Sequence, residues 1–290
     1  MATAGEAGAR GRPLDLSRWA YLPALAWTVL FFAVPLGVML LWSFWQRLGG
    51  KIDQTLSLAN YAKFFGRPYL FEALVNSIEV TLITTVVSIV LAYPLAYIIA
   101  YRIPERWQRF ALILAVLPFW TSYVIRSYSW LLILSEKGII NSVLLAVGVI
   151  DDPVSLGYNR GATVLGFVHF FTMLLTLTIY ANLVQINTSY RLAAADLGAS
   201  PFQVFTRITL PLSLPGVAVG AFLTFVIAIG DYVTPRILGG SNELLLPQAI
   251  MLQVERAADF PMASAMSMTL MVVVTVTYLL FAKYLKMDRV

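Results

Sequence analysis

The sequence predicts an all-α membrane protein with six transmembrane helices, and three observations carry that prediction. Of the 290 residues, 59% are hydrophobic and only 12% charged, with a mean hydropathy of +0.79. That is too much apolar surface for one water-soluble globule of this length, so a soluble enzyme is excluded. Five runs carry no Asp, Glu, Lys or Arg and are long enough to cross a bilayer: 19–46, 80–101, 161–190, 208–230 and 260–282. About 20 residues suffice, because a helix rises 1.5 Å per residue through roughly 30 Å of hydrocarbon. A sixth run, 110–135, is interrupted only by Arg126 and counts as a span with one buried or snorkelling charge.

The first run follows a polar, glycine-rich and arginine-bearing tail, 1–18. It is about twice the length of a signal-peptide core of roughly 7–15 residues and reads as an uncleaved first helix, so the membrane domain covers 19–290. Six spans put both termini on one side. The short 102–109 loop, with Arg102, Arg106 and Arg109 against Glu105, places that side in the cytoplasm. Eleven basic residues then fall on the cytoplasmic side and eight on the other, so the short loop carries the orientation. The net charge of +5 is accounted for by the membrane, without a nucleic-acid partner. With no cysteine and one histidine, His169, there is no material for a disulfide, a thiolate site or a histidine zinc site. The outer connections, 47–70, 136–160 and 233–259, are long and mixed and suit loops with short surface or re-entrant helices. Pro35, Pro94, Pro118, Pro211 and Pro215 lie in or at the ends of spans, which requires neighbouring groups to satisfy the carbonyls they free.

Between the fourth and fifth spans, 189–211 predicts a helix that ends at Gly198 and a second that begins at once. Ser200, Pro201 and Gln203 give the second helix an N-cap, a proline at its first position and a capping box. Leu192, Leu197, Phe202 and Phe205 are apolar where a solvent-facing loop is normally polar. Two readings fit: a short helix pressed into a partner's groove, or one lying on lipid headgroups.

Here the sequence resembles the membrane subunits of binding-protein-dependent ABC importers. Their motif is Glu-Ala-Ala, three residues, Gly, nine residues, then Ile-x-Leu-Pro. This chain has Ala193 and Ala194, a spacer holding Asp196 and Leu197, Gly198, nine residues, and Ile208-Thr209-Leu210-Pro211. It departs at Leu192, which stands where the motif has glutamate and removes one ionic contact the family makes there. Further stretches, Leu117-Pro-Phe-Trp-Thr-Ser-Tyr-Val-Ile-Arg-Ser-Tyr-Ser-Trp130, Lys137 to Asn141, Asp196 to Ser200, and Gly230-Asp-Tyr-Val-Thr-Pro235 with Leu238-Gly-Gly240, are similar to the first permease of spermidine/putrescine importers. The resemblance implies a type I ABC importer permease fold in a bacterial inner membrane. It also implies a second homologous permease, a cytosolic ATPase dimer that binds ATP and Mg and grips the elbow, and an extracytoplasmic solute-binding protein. The chain has no phosphate loop of its own, since Gly50-Lys51 is followed by Ile52 and lacks the upstream glycine.

Acidic groups in spans are costly and should face a partner helix or an aqueous path. Asp231, at the outer end of the fifth span with Tyr232 beside it, would cradle an alkylammonium through ion pairing and cation–π contact; equally it would cap a helix or pair with Arg236. Glu72, Asn76 and Glu79 share one face of the second helix, as a vestibule lining or as a wet helix end. Trp120, Tyr123, Tyr128 and Trp130 flank Arg126, with Trp120 and Tyr128 as path or interfacial-belt residues. Arg126 is expected to pair with a carboxylate of another helix, and His169 to be a hydrogen-bonded packing residue. A stand-alone secondary transporter would show paired broken helices and an ion cluster near the midplane, and an intramembrane enzyme would need a nucleophile with a base; the spans offer neither pattern.

Overall fold

The computed structural model describes residues 21–240 and 243–285, with side chains to 282; the tail 1–18, Lys283, Lys286 and Arg289 lie outside the residues so described. Among the described residues the regular structure is helical apart from one hairpin. Helix α1 is Leu22–Ser43. The hairpin β1 (Gln46–Leu48) and β2 (Lys51–Asp53) follows, then α2 (Ala59–Gly66) and α3 (Pro68–Tyr101). Next come α4 (Glu105–Val116), α5 (Tyr123–Leu134), α6 (Ile139–Ala146), α7 (Arg160–Leu183) and α8 (Thr188–Asp196). The chain continues through α9 (Pro201–Gly230), α10 (Val233–Leu238), α11 (Leu246–Glu255) and α12 (Phe260–Leu285). Among the described residues six helical stretches are long and apolar enough to span a bilayer.

The third crossing is not the single rod 110–135 that the sequence suggests. It is divided into α4, a 3-10 turn Leu117–Trp120 and α5. Pro118 has no N–H and its ring is incompatible with a continuous helix, and Thr121 and Ser122 are extended. The Pro118 carbonyl accepts from the Thr121 N–H at 3.3 Å, from the Thr121 hydroxyl at 2.7 Å and from Arg126 Nη1 at 3.2 Å. The apolar stretch Tyr123–Ala146 is divided again, at 135–138, into α5 and α6. Pro35 and Pro211 act more gently. Each lies just beyond a π turn, Val29–Ala33 in α1 and Phe205–Thr209 in α9, so the helix widens to make room for the ring and stays continuous.

Helix α3 begins at Pro68, twelve residues before its uncharged run, because Glu72 and Glu79 are tolerated on its wet end. The pair Gly49-Gly50, with φ of +56° and +82°, makes the two-residue turn of the hairpin, which the sequence reading did not anticipate.

Helices α3, α7 and α9 form the main seam, where Ala92, Ala96, Leu175, Ile179 and Leu183 are buried together. A second cluster joins α2, α3, α11 and α12 through Phe64, Leu70, Leu246 and Met266. Small side chains let the helices approach. On α9, Gly216 faces Asn182 and Gly220 faces Leu175 so closely that a Cβ would come within 2.4 Å and 2.7 Å of them. On α3 the buried face carries Ser77, Thr81, Thr84, Thr85 and Ser88, the small hydroxyl residues that membrane helix interfaces favour.

The 102–109 loop and the elbow lie at one end. Gln108 Nε2 donates to the Ala100 and Ile103 carbonyls, Tyr180 donates to Gln108 Oε1 at 3.3 Å, and Tyr101 donates to the Leu183 carbonyl at 2.8 Å.

Candidate functional site

Two features are built from the residues singled out by sequence: the elbow, and a half-buried carboxylate at the end of the fifth span. At the elbow, α8 starts after Asn187, whose side chain accepts from Ser189 N, and ends at Gly198 with φ +83°. Gly198 N donates to the Ala195 carbonyl and Ala199 N to the Ala194 carbonyl at 3.0 Å, closing the helix end in the left-handed form that glycine adopts without strain. Ser200 and Gln203 then complete both bonds of the capping box under Pro201. Leu192, Leu197 and Phe202 are 60%, 89% and 73% exposed. Burying such side chains contributes about 1.5–3 kcal/mol each, so the elbow offers a partner an apolar knuckle. Phe205 is a correction to the exposed set. It turns inward and meets Tyr93 and Tyr97 edge-on at 5.8 and 5.5 Å, because the π turn of Phe205–Thr209 rotates it toward the seam. Asp196 carries the last turn of α8, and Pro211 sits directly after the π turn.

Asp231 follows Gly230, the last residue of α9. Its carboxylate accepts from the backbone N–H of Val233 at 2.9 Å and of Thr234 at 3.3 Å, capping α10. Tyr123 of α5 donates to the same carboxylate and also bonds the Thr234 hydroxyl. The expected alternative partner, Arg236, is engaged elsewhere, with Glu255 at 3.1 Å. A cavity of about 320 Å³ opens here, lined by Tyr123, Phe170, Ile227, Gly230 and Asp231. Phe170 is ten residues into α7, which sets the cavity about 15 Å below the start of that helix. Asp231 thus stands at the end of the fifth span, as the sequence suggests, half-buried and level with the middle of α7. Helix α9 stops at this depth, and α10 continues the chain back out beside α5 and α7.

The aromatic partners of Asp231 are Tyr123 and Phe170. Tyr232 lines a different cavity with Arg236 and Glu255. Nothing in the local sequence flags Phe170 or Tyr123 for this role, since they come from two other helices. Trp120, 80% exposed, and Tyr128 lie on the outer surface of the chain. Arg126 has no carboxylate partner among the described residues. It is buried against the Phe170 ring, 5.0 Å from its centroid, and donates to the Pro118 carbonyl, so the helix break supplies the acceptor that an acid was expected to supply. His169 accepts at Nδ1 from the Trp130 indole N–H at 2.8 Å, a packing role.

Asn76 and Glu79 do not line this cavity. Both bind Arg160 at the start of α7: Nη1 to Glu79 at 2.9 Å, Nη2 to Asn76 at 2.6 Å, while Nε meets Glu243 at 2.8 Å. Their polar stripe is thus a clamp joining α3, α7 and the connection before α11, and Glu72 lies exposed beside it. Exposed pairs are individually weak, and a shared arginine adds their effects. An Arg160→Gln chain should lose about 1–2 kcal/mol of stability, read as a lower unfolding temperature in detergent and faster amide exchange at 243–245.

The family model described as binding-protein-dependent transport system inner membrane component matches residues 8–286. The spermidine/putrescine transport system permease protein PotB of Escherichia coli is 33% identical over 258 residues, covering 89% of this chain and 93% of that protein. The molybdenum transport system permease protein ModB of Mycobacterium bovis is 30% identical over 270 residues, covering 92% of this chain and 94% of that protein. Among solved structures, a bacterial ABC transporter involved in the import of the acidic polysaccharide alginate superposes with a TM-score of 0.75 at 18% identity, covering 95% of this chain and 98% of that one.

Proposed function

The chain belongs to the family of binding-protein-dependent transport system inner membrane components; it is a multi-pass permease subunit of an ABC importer with the type I permease fold, and we propose that its cargo is a polyamine. The observation that carries this reading is the half-buried carboxylate of Asp231 at the end of the fifth span, level with a point about 15 Å along α7 and bonded by Tyr123. A charge at that depth is costly and is retained where it meets a pathway. The carboxylate attracts an alkylammonium by its charge, while the Phe170 and Tyr123 rings already hold the Arg126 guanidinium at 5.0 and 5.9 Å, so this reading rests on the charge of Asp231. The similarity to a spermidine/putrescine permease supports the same cargo. The molybdenum transport relative leaves a different cargo open to the family, and the negative charge of Asp231 favours a cation.

In this reading the path is enclosed with a second, homologous permease, and a solute-binding protein delivers cargo at the outer end. A cytosolic ATPase dimer, holding ATP and Mg on its own subunits, grips the elbow formed by Leu192, Ala193, Ala194, Leu197, Gly198, Ser200, Pro201 and Phe202. Closure of the ATPases draws the paired elbows together and turns the path outward; hydrolysis returns it inward. The transmitted element is a rigid helix in a groove. The 102–109 loop and both termini face the cytoplasm.

The test is an Asp231→Asn chain in the full transporter. Asparagine keeps an oxygen to cap α10 and removes the charge. Loss of one charge-assisted contact, about 1.5–3 kcal/mol, should lower spermidine uptake roughly tenfold or more, with the amount of chain in the membrane and its co-purification with the ATPase unchanged. Unaltered uptake would leave Asp231 a helix cap and withdraw the cargo assignment.

A further inference from the structure

Beside the elbow lies a further cavity, of about 330 Å³, that shares Leu192 and Pro201 with the docking surface but whose charged wall neither the cargo nor the docking reading uses. It is lined by Tyr97, Tyr101, Arg102, Thr188, Arg191 and the elbow's Leu192, among others. The Arg191 guanidinium carbon lies 3.8 Å from the centroid of the Tyr101 ring. That ring is itself fixed, since its hydroxyl donates to the Leu183 carbonyl and Tyr97 packs against its edge with centroids 5.1 Å apart. Arg191 is therefore held in one orientation before any ligand arrives. Its Nε is buried and has no hydrogen-bond partner, and among the described residues neither Arg191 nor Arg102 pairs with a carboxylate. Leaving a charged donor buried and unmet is expensive.

The surroundings add to the demand for an anion. At this end Arg102, Arg106, Arg109, Arg191 and Arg207 stand against Glu105 and Asp196. Thr188 supplies a hydroxyl at the first turn of the nine-residue α8, where helix polarity also favours negative charge. Tyr97 and Tyr101 belong to the last turns of α3, so the cavity opens where a spanning helix leaves the hydrocarbon. A planar guanidinium with free donors, a second arginine and a hydroxyl match the oxygens of a phosphate group.

We propose that this cavity is a phosphate-binding site between α3 and the elbow, occupied by an anionic lipid headgroup of the facing leaflet or by free phosphate. The inference does not depend on which solute is carried. Its occupant would bridge the last turn of α3 to α8 and so stiffen the base of the elbow.

The experiment follows thermal unfolding of the purified full chain in detergent as short-chain phosphatidylglycerol, phosphatidylcholine or inorganic phosphate is added at matched ionic strength. Phosphatidylglycerol should raise the unfolding temperature saturably and phosphatidylcholine should not. Arg191→Gln and, separately, the exposed Arg102→Gln should each need at least about tenfold more ligand for the same shift, while Arg207→Gln, outside the cavity, should respond as the parent does. An equal shift with inorganic phosphate would identify the soluble ion as the occupant and keep the site. Identical responses of the parent and both cavity variants, or no response to either anion, would overturn it. So would an unchanged anion response with loss of ATPase co-purification in Arg191→Gln, which would give the cavity to a partner's carboxylate.

Discussion

A Gly198→Val chain should reach the membrane in normal amounts and lose coupled uptake. The reason is confined to one backbone angle. Gly198 sits at φ +83°, and a Cβ built there meets nothing within 4 Å, so the substitution creates no clash with the rest of the fold. It makes the left-handed conformation itself unfavourable, by roughly 1–2 kcal/mol for an L-residue and more for a β-branched one. The chain escapes that cost by leaving the left-handed region. Doing so breaks the two closing bonds to Ala194 and Ala195 and swings α8 away from the capped turn at Ser200. Leu192 and Leu197, on one side of the hinge, and Phe202, on the other, then no longer form one surface. Uptake in the assembled transporter should fall at least tenfold, and ATPase activity should cease to respond to cargo-loaded binding protein. Gly198→Asn supplies the control, because asparagine tolerates the left-handed region and should keep most of the uptake. Full transport by the valine chain would remove the elbow from the coupling pathway.

The elbow was legible in the sequence because everything that shapes it is local. A glycine stop, an N-cap serine, a proline and a glutamine three residues on from the serine specify the turn without help from elsewhere, and the structure forms each of those bonds. Spans were legible for a similar reason, since apolar length needs no partner. What failed needed contacts between distant segments. Phe205 is apolar like Phe202, three residues earlier, and only the π turn before Pro211 sends one inward and leaves the other out. Arg126 looked like half of an ion pair because a buried guanidinium normally needs an acid. The acceptor is the Pro118 carbonyl, open to a side chain because the helix breaks there, eight residues before Arg126. Asn76 and Glu79 were read on the correct face of α3, yet their use depends on Arg160, which arrives more than 80 residues later. Asp231 was singled out from its own charge, but its depth and its aromatic company, Tyr123 and Phe170, come from α5 and α7.

The largest effect on assembly should come from a residue with no polar atom in its side chain at all. In lipid there is little hydrophobic gain from bringing two apolar helices together, so association rests on close packing and on the small residues that permit it. Gly216 and Gly220 stand four apart in α9 and therefore on one face, the spacing in Gly216-Val-Ala-Val-Gly220 that a reading for small-residue motifs would catch. That face meets α7. A Cβ at position 220 would stand 2.7 Å from Leu175 Cδ2 and 3.5 Å from Thr178, and one at 216 would stand 2.4 Å from Asn182 Cβ, close to the backbone and unable to swing aside. Gly216→Leu should thus force α7 and α9 apart by more than an ångström along a seam that also holds Leu175, Ile179 and Leu183. Overpacking of a tight interface costs typically 1–3 kcal/mol, and here the separation also withdraws α9, and with it Asp231, from Tyr123 and Phe170. The expected result is a chain that inserts, since its hydropathy is unchanged or higher, yet is recovered from detergent largely aggregated and unable to co-purify with the ATPase. Gly220→Ala, which meets the flexible end of a leucine, should be milder. A Gly216→Leu chain that elutes as a folded species and transports normally would show that α7 and α9 do not need this approach, and would put in doubt the depth at which Asp231 is held.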